Sequence, residues 1–382
     1  MPQPIKTDIL VVGAGPAGAT AARYAAAKGA KVTIIERRPE AGVPVRCGEM
    51  MPSDEEIIKM FPNAGDITSL FDIPRHLRLR EIKGIKLIDP KGKERLLDFT
   101  GYTTDRDKFD KYLISEAEKE GAELITNCLY RRAAESNEIL RSEPLSPKKE
   151  GWVAATSMGE IEYKVIIGAD GPGSRVAKSL GLQKNRDPYP AVTAQAKGDF
   201  EPYVQMFFGG IAPGAYSWII PKKGQANVGV GLSPRFADGT PSEYFEKFRK
   251  MHDFEIMTKL EGKYVPSEGM HPKLISEEEN GMIVGDAAGQ VIPVNGGGLP
   301  LALIAGKVCG EVAADLIFKS RSLKDYQDEC EKVFRKPLKI AASNKRLADK
   351  IAFTSDRRTA LCMNILGTRR MGNLIRCKRI FP

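Results

Sequence analysis

Residues 5–12 form an apolar-rich run that stops at Gly13, as a buried strand does. Residues 16–28 are Ala-rich with helical spacing, and 31–35 return to a short β-branched run ending at Glu36. Strand, turn, helix and strand in that order open a doubly wound α/β domain. An irregular Gly/Pro-rich stretch follows at 39–52. Alternation then predicts a hairpin, 85–88 with 95–99, across the turn Asp89-Pro90-Lys91-Gly92. Residues 105–120 have helical periodicity, 123–126 return to strand, and 152–168 read as a hairpin running into Asp170-Gly171. From 191 to 231, Val, Phe, Tyr and Trp interrupted by Gly and Pro predict an inserted antiparallel sheet. A short buried strand is predicted at 282–284, and from Leu299 onwards the pattern is mostly helical.

The 382 residues are 42% hydrophobic and 28% charged, enough for a large core and unlike a disordered or collagenous chain. Residues 1–10 carry no signal-peptide pattern, and no apolar run of about 18 residues is present to span a bilayer. In the nearest candidate, 298–318, Lys307, Glu311 and Asp315 make one polar stripe of an amphipathic or buried helix. The six cysteines (47, 128, 309, 330, 362 and 377) form no Cys-x-x-Cys pair, which argues against zinc ribbons and iron–sulfur clusters. Cys309 and Cys330 fall on successive predicted helices, a placement open to pairing. His76, His252 and His271 are too dispersed for a metal site, so no metal is expected. The net charge of +9 is uneven: residues 319–382 hold 17 Lys/Arg against 6 Asp/Glu, which leaves 1–318 at −2. In that tail Arg357-Arg358, Arg369-Arg370 and Arg376 to Arg379 alternate with Leu361, Met363, Ile365, Leu366, Leu374 and Ile375. This fits a solvated helical subdomain or a peripheral surface for anionic lipid head groups; nucleic acid is not expected, because no binding motif accompanies the charge.

The chemistry begins at Gly13-Ala14-Gly15-Pro16-Ala17-Gly18, between a predicted strand and helix, with Glu36 eighteen residues past Gly18. Gly13 permits the tight turn, Gly15 the approach of a pyrophosphate, and Gly18 close helix–strand packing. The helix N-terminus faces the phosphates and Glu36 accepts from the ribose. Two later segments choose among dinucleotides: Val165 to Gly168 leading into Asp170-Gly171, and Met282-Ile283-Val284-Gly285-Asp286 followed by Asn295-Gly296-Gly297-Gly298. With Arg106 at the start of the helix after the hairpin, this order resembles the FAD flavoproteins of the p-hydroxybenzoate hydroxylase type. The resemblance implies FAD, with Asp286 on its ribityl chain.

Arg46-Cys47-Gly48-Glu49, then Tyr216-Ser217-Trp218-Ile219-Ile220-Pro221, seven residues, and Gly229-Val230-Gly231 closely resemble the archaeal geranylgeranyl reductases, the digeranylgeranylglycerophospholipid reductase family. Ile220 departs from that family's usual Phe. The resemblance spans at least residues 5–310. It implies a Rossmann-like FAD-binding domain (1–75, 100–188 and 270–318), an inserted antiparallel β-sheet catalytic domain (76–99 and 189–269) and a basic helical C-terminal subdomain (319–382). Carried over by position, Ala17, Glu36, Cys47, Gly48, Met50, Arg106, Asp286, Gly298 and Leu299 would contact FAD together with Gly13, Gly15 and Gly18, and Cys128 would lie by the adenine.

The implied activity is saturation of isoprenoid double bonds of archaeal membrane lipids, on a geranylgeranylated glycerophospholipid or a polyprenyl diphosphate. An isolated alkene has no carbonyl to take up negative charge. Hydride from flavin N5 must therefore be coupled to protonation, with positive charge developing on the tertiary carbon. The Tyr216 and Trp218 ring faces would stabilise that charge, and Cys47 is a candidate proton donor or flavin-side positioning group; each of the three could instead be plain core packing. No second Gly-rich fingerprint exists for a nicotinamide, so the electron donor is either transiently bound NAD(P)H or reduced ferredoxin. The expected location is cytoplasmic, with peripheral contact to the inner face of the membrane. Competing readings are a flavin-dependent halogenase, whose Trp-x-Trp-x-Ile-Pro motif is close to 216–221, an aromatic hydroxylase, an electron-transfer flavoprotein dehydrogenase, and a non-catalytic lipid-binding flavoprotein.

Overall fold

The first apolar run is two strands. Thr7 and Asp8 interrupt it, so Ile5–Lys6 joins one sheet and Ile9–Val12 another. The split is polar in origin: Asp8 accepts from the Lys31 N–H at 3.0 Å and the Thr7 hydroxyl donates to Lys31 O at 2.9 Å. The computed structural model describes residues 5–131 and 152–381; residues 132–151, inside the 100–188 span expected for the nucleotide domain, lie outside the described residues.

A six-stranded sheet runs Ile275–Ser276, Gly281–Ile283, Val165–Gly168, Ile9–Val12, Val32–Ile35, Glu123–Ile125. It is parallel except for the edge pair Ile275–Ser276 with Gly281–Ile283. The central strands are buried on both faces, which is why they read as unbroken apolar runs. Helix Pro16–Ala26 packs against helix Leu299–Ile317 at very short range. A Cβ on Gly310 would stand 2.1 Å from Ala21 O, and one on Gly306 2.7 Å from Ala17 O. Small residues on both helices let the backbones touch.

The second large sheet is eight-stranded and mixed. Its path is Glu255–Ile256, Tyr189–Lys197, Gln225–Gly231, Ser217–Pro221, Val204–Phe207, Ile85–Ile88, Glu94–Leu97, with Glu261–Val265 also on Tyr189–Lys197. The expected antiparallel order fails at one place, where Val204–Phe207 pairs parallel with Ile85–Ile88. The hairpin of Ile85–Ile88 is contributed from far upstream, so no local turn dictates its direction. Segment 76–99 divides between sheets, because Arg80–Ile82 instead joins Gly101–Thr103 and Met50–Pro52 in a three-stranded sheet. On strand Ser217–Pro221, Trp218 and Ile220 face one cluster, with Met363, Met371 and Ile375 of the last helix, whereas Ile219 faces Tyr244, Phe245 and Phe248. The last helix, Asp356–Ile375, kinks at Gly367.

Cys309 and Cys330 are both free and fully buried, so the placement open to pairing does not produce a disulfide. Burial pushes the Cys330 thiol up to about 12 and Cys309 upward as well, which keeps both protonated. Among the described residues no helix is long and apolar enough to cross a membrane, and no group of three or more His, Cys, Asp or Glu could hold a metal ion.

Candidate active site

One cavity of about 800 Å³ runs from the Gly13 turn to the inner face of the eight-stranded sheet. Gly13 stands at φ +106, with its missing Cβ only 2.4 Å from Ala169 O. A side chain there would be both strained and blocked. Of the three glycines of the turn, Gly18 is the one that does not line the cavity: its Cβ position lies 2.0 Å from Gly13 O, so its place is in packing beneath the turn. Gly15, which does line it, caps helix Pro16–Ala26 with no side-chain bond to the first N–H groups. Gly298 caps helix Leu299–Ile317 in the same uncapped way, also on the cavity wall. Two helix N-termini therefore open with unpaired donors into one space, an arrangement suited to the electron-rich groups of a dinucleotide.

At one end Glu36 accepts from the Ala14 N–H at 3.0 Å, the Arg38 N–H at 3.0 Å and Arg38 Nε at 2.9 Å. Burial opposes its charge, but these donors hold the carboxyl below its ordinary range. Cys128, buried beside it, donates its N–H to Glu36 O at 2.9 Å. Asp170 caps helix Arg175–Ser179 by accepting from Ser174 Oγ and the Arg175 N–H, and burial raises its pKa. Midway, Asp286 lies 2.6 Å from Lys263 Nζ, a contact between the nucleotide-binding region and strand Glu261–Val265. Ala17, Gly48, Met50 and Leu299 also line the wall. Arg106 makes a two-pronged pair with Asp110 at 2.7 and 2.9 Å. Burial works against its charge, and the Asp110 carboxylate and the adjoining Cys47 outweigh it, so Arg106 is firmly cationic. These donors, the two uncapped helices and the open space at Gly15 fit FAD.

At the other end, Tyr216 and Trp218 meet edge to face, centroids 5.9 Å apart at 61°. The Tyr216 hydroxyl donates to Asn295 O, and burial pushes its pKa far up, with Cys47 adding in the same direction. It is therefore a neutral phenol already bound to a carbonyl, leaving its ring face for the cavity. Trp218 pairs in register with Gly229, where a Cβ would lie 2.1 Å from the indole Cζ2. The spacing of the two motifs is thus a hairpin in which glycine makes room for the indole. Ile220 lies over Gly48, 2.8 Å from its Cβ position, and so borders the cavity beside Cys47. Beyond Trp218 the walls are Ile85, Phe99, Val204, Met206, Phe208 and, from the last helix, Ile375.

Several site residues were not singled out by the sequence. Glu49, Lys222 and Asn227 form a buried polar cluster behind Cys47, with Lys222 Nζ 3.0 Å from Glu49 Oε2. Glu49 sits inside the quoted 46–49 motif and Asn227 inside the seven-residue spacer, so position was available but chemistry was not. Lys263 had no signal at all. None of the three histidines lines the cavity; His271 is buried on Asn185 at 3.2 Å and His252 stacks among Phe207, Phe248 and Phe254.

Comparison with known proteins agrees with this geometry. A family model described as geranylgeranyl reductase catalytic domain matches residues 190–263, and one described as FAD dependent oxidoreductase matches 8–54. Digeranylgeranylglycerophospholipid reductase 3 of Methanosphaera stadtmanae is 32% identical over 355 residues, covering 85% of this chain and 82% of the relative. Digeranylgeranylglycerophospholipid reductase 2 of Methanopyrus kandleri is 33% identical over 360 residues, covering 89% and 86%. A geranylgeranyl bacteriochlorophyll reductase-like protein from Thermoplasma acidophilum superposes with a TM-score of 0.77 at 26% identity, over 97% of this chain and 92% of that one. A flavin-dependent brominase shares the fold alone, with a TM-score of 0.69 at 16% identity over 97% and 94%. With a third of its residues identical over most of its length, the chain belongs to the digeranylgeranylglycerophospholipid reductase family.

Proposed function

We propose that the protein is an FAD-dependent reductase that saturates isoprenoid C=C bonds of geranylgeranyl chains in archaeal membrane lipids. The observation that carries this reading is the continuity of one cavity, from a dinucleotide cradle to an apolar pouch walled by Trp218, Ile220 and Met206. A polar aromatic substrate would want hydrogen-bonding groups in that pouch, whereas a polyprenyl chain wants none. Bound FAD supplies the hydride once reduced. The protein's own contribution is then to place the alkene, exclude water and supply the proton. Ring faces of Tyr216 and Trp218 stabilise positive charge developing on the tertiary carbon by about 0.5–2 kcal/mol each, and a dry pouch strengthens that term. Cys47, between Arg106 and the pouch, is the proton donor in this reading. Gly13, Gly15, Ala17, Glu36, Gly48, Met50, Arg106, Cys128, Asp286, Gly298 and Leu299 hold FAD.

The electrons come from NAD(P)H or reduced ferredoxin. The natural substrate sits in a bilayer, and the last helix both roofs the pouch and carries exposed Leu361 and Ile365 beside Arg357, Arg358 and Arg369. That face is the peripheral membrane contact in this reading. Arg376 is not part of it, being committed to Glu56 at 2.6 and 2.8 Å, and Met363 and Ile375 point inward.

The deciding experiment is anaerobic. The dithionite-reduced holoprotein is mixed with a geranylgeranyl diether phospholipid, and product mass and flavin absorbance are followed. Two hydrogens gained per double bond with flavin reoxidation is the expected result. A flavin that stays reduced until oxygen is admitted would turn the assignment to halogenase or hydroxylase chemistry. Trp218→Leu and Tyr216→Leu should each slow single-turnover reduction with the fold intact, and unchanged rates would reduce both rings to packing.

A further inference from the structure

We propose that Asn227 is a positioning residue, holding Cys47 and Trp218 at a fixed separation across the substrate pouch through the two ends of its one side-chain amide. Asn227 is completely buried in the middle of strand Gln225–Gly231. Its Oδ1 accepts from Trp218 Nε1 at 2.8 Å and from Thr193 Oγ1 at 2.7 Å. Its Nδ2 donates to Cys47 O at 2.8 Å and to Glu49 Oε2 at 2.9 Å. An amide has two donor hydrogens and two acceptor lone pairs, so every one is used. Turning the amide over would set its NH₂ against the indole N–H and its oxygen against a carboxylate and a carbonyl, so one orientation is allowed.

The anchor behind it is equally fixed. Glu49 is 1% exposed and stands at φ +63, a left-handed conformation uncommon for Glu. Its Oε2 also accepts from Lys222 Nζ at 3.0 Å and Gln195 Nε2 at 2.7 Å, and its Oε1 from the Arg106 N–H at 3.0 Å. Its own N–H points at Cys47 Sγ, 3.3 Å away. The Cys47 segment is thereby tied to the sheet, and the indole plane to the Cys47 carbonyl.

The consequence rests on the proposed reaction. There the proton goes to one alkene carbon while positive charge grows on its neighbour, so donor and stabilising ring must keep a set spacing. Misplacement by about 1 Å can cost a hundredfold in rate.

The test uses the FAD-loaded protein and the double variant Glu49→Gln with Asn227→Asp. Shape is preserved, Lys222 keeps the Asp105 carboxylate, and Trp218 and Thr193 keep their acceptor, while the Cys47 carbonyl loses its donor. The single amide oxygen that Glu49→Gln introduces leaves either the Arg106 N–H or Lys222 and Gln195 without their former acceptor, so Glu49→Gln alone is the control against which the double variant is read. Two quantities are read. One is the rate of Cys47 alkylation by iodoacetamide relative to Cys362, the other half-buried thiol. The other is kcat and KM for the lipid. The expected result is a several-fold rise in relative Cys47 alkylation, with kcat down about 10- to 100-fold and KM within twofold. Should the double variant fail to fold, Asn227→Ala introduces no buried charge and should raise relative alkylation in the same way. Unchanged alkylation and kcat in a folded variant would overturn the positioning role. If the wild-type protein reduces no lipid, the alkylation ratio still reads the Cys47 tether, so the two failures are told apart.

Discussion

The Trp218 indole owes its place to the residue it must avoid as much as to the partner it binds. Gly229→Ala would put a methyl 2.1 Å from Cζ2 and 2.5 Å from Val192 O, backbone that has nowhere to go. The indole has to swing out and surrender its bond to Asn227. Overpacking of this kind costs about 1–3 kcal/mol, so the variant should fold with a lowered Tm, altered near-ultraviolet ellipticity and strongly slowed single-turnover reduction. A wild-type near-ultraviolet spectrum would contradict that account. The Trp218 and Gly229 pairing was legible in the sequence as a motif spacing. Asn227 was not, since a polar residue in a spacer looks like a turn until the register sets it beside Cys47. Glu49 and Lys222 were illegible for a related reason: charged side chains are ordinarily exposed, and only the fold brings 49 and 222 together in a dry place.

At the scale of elements, the nucleotide-binding half followed its pattern closely because buried parallel strands and an Ala-rich helix have strong signals. Residues 105–120 gave a helix Arg106–Lys119 between Asp105 and Glu120. The departures are where a strand answers to distant partners. Thr7 and Asp8 break the first run by binding Lys31, and Val204–Phe207 takes a parallel neighbour delivered from residues 85–88. Helix contacts were invisible too, although Gly306 and Gly310, four apart on a helical stripe, now have a physical meaning. They let helix Leu299–Ile317 lie against helix Pro16–Ala26, whose N-termini both open on the cavity. Gly310→Ala would face Ala21 O at 2.1 Å, which pushes the two helices apart at a cost of about 1–3 kcal/mol. Weaker FAD retention, measured by flavin fluorescence on dilution, should accompany the fall in Tm. A lowered Tm with unchanged FAD affinity would mean that the helix spacing does not set the cradle.

The C-terminal region binds the whole molecule together through a buried ion pair. Arg376 grips Glu56 with two hydrogen bonds and also donates to Asp98 O, while Lys59 lies 2.9 Å from Glu56 Oε1. Burial alone would raise the Glu56 pKa; the Arg376 and Lys59 cations outweigh it and hold the carboxyl below its ordinary 4.5. A group depressed on folding stabilises fully above its unfolded value and loses that share as the pH falls through its folded one. The last helix should therefore loosen below about pH 4.5, seen as tail-selective proteolysis. Glu56→Gln should loosen it already at neutral pH by about 3 kcal/mol, the low end for a buried pair because Arg376 keeps some contact with water.

The same helix argues for where the molecule works. The +11 of the tail was plain in the sequence, but not which cations were already engaged: Arg376 is paired with Glu56 and Lys345 with Asp349 and Tyr189, whereas Arg357, Arg358 and Arg369 stand exposed near Leu361 and Ile365. Wild-type protein should co-sediment with anionic phospholipid vesicles and leave neutral ones, with binding weakened by salt. Full burial of a leucine or isoleucine contributes about 1.5–3 kcal/mol, so Leu361→Ser with Ile365→Ser should cut vesicle affinity about tenfold or more. Reduction of a short-chain, detergent-dispersed substrate should stay at the wild-type rate in that variant, because neither side chain lines the cavity. Equal partition of wild type onto neutral and anionic vesicles, or an undiminished affinity in the double variant, would move the membrane contact to another face.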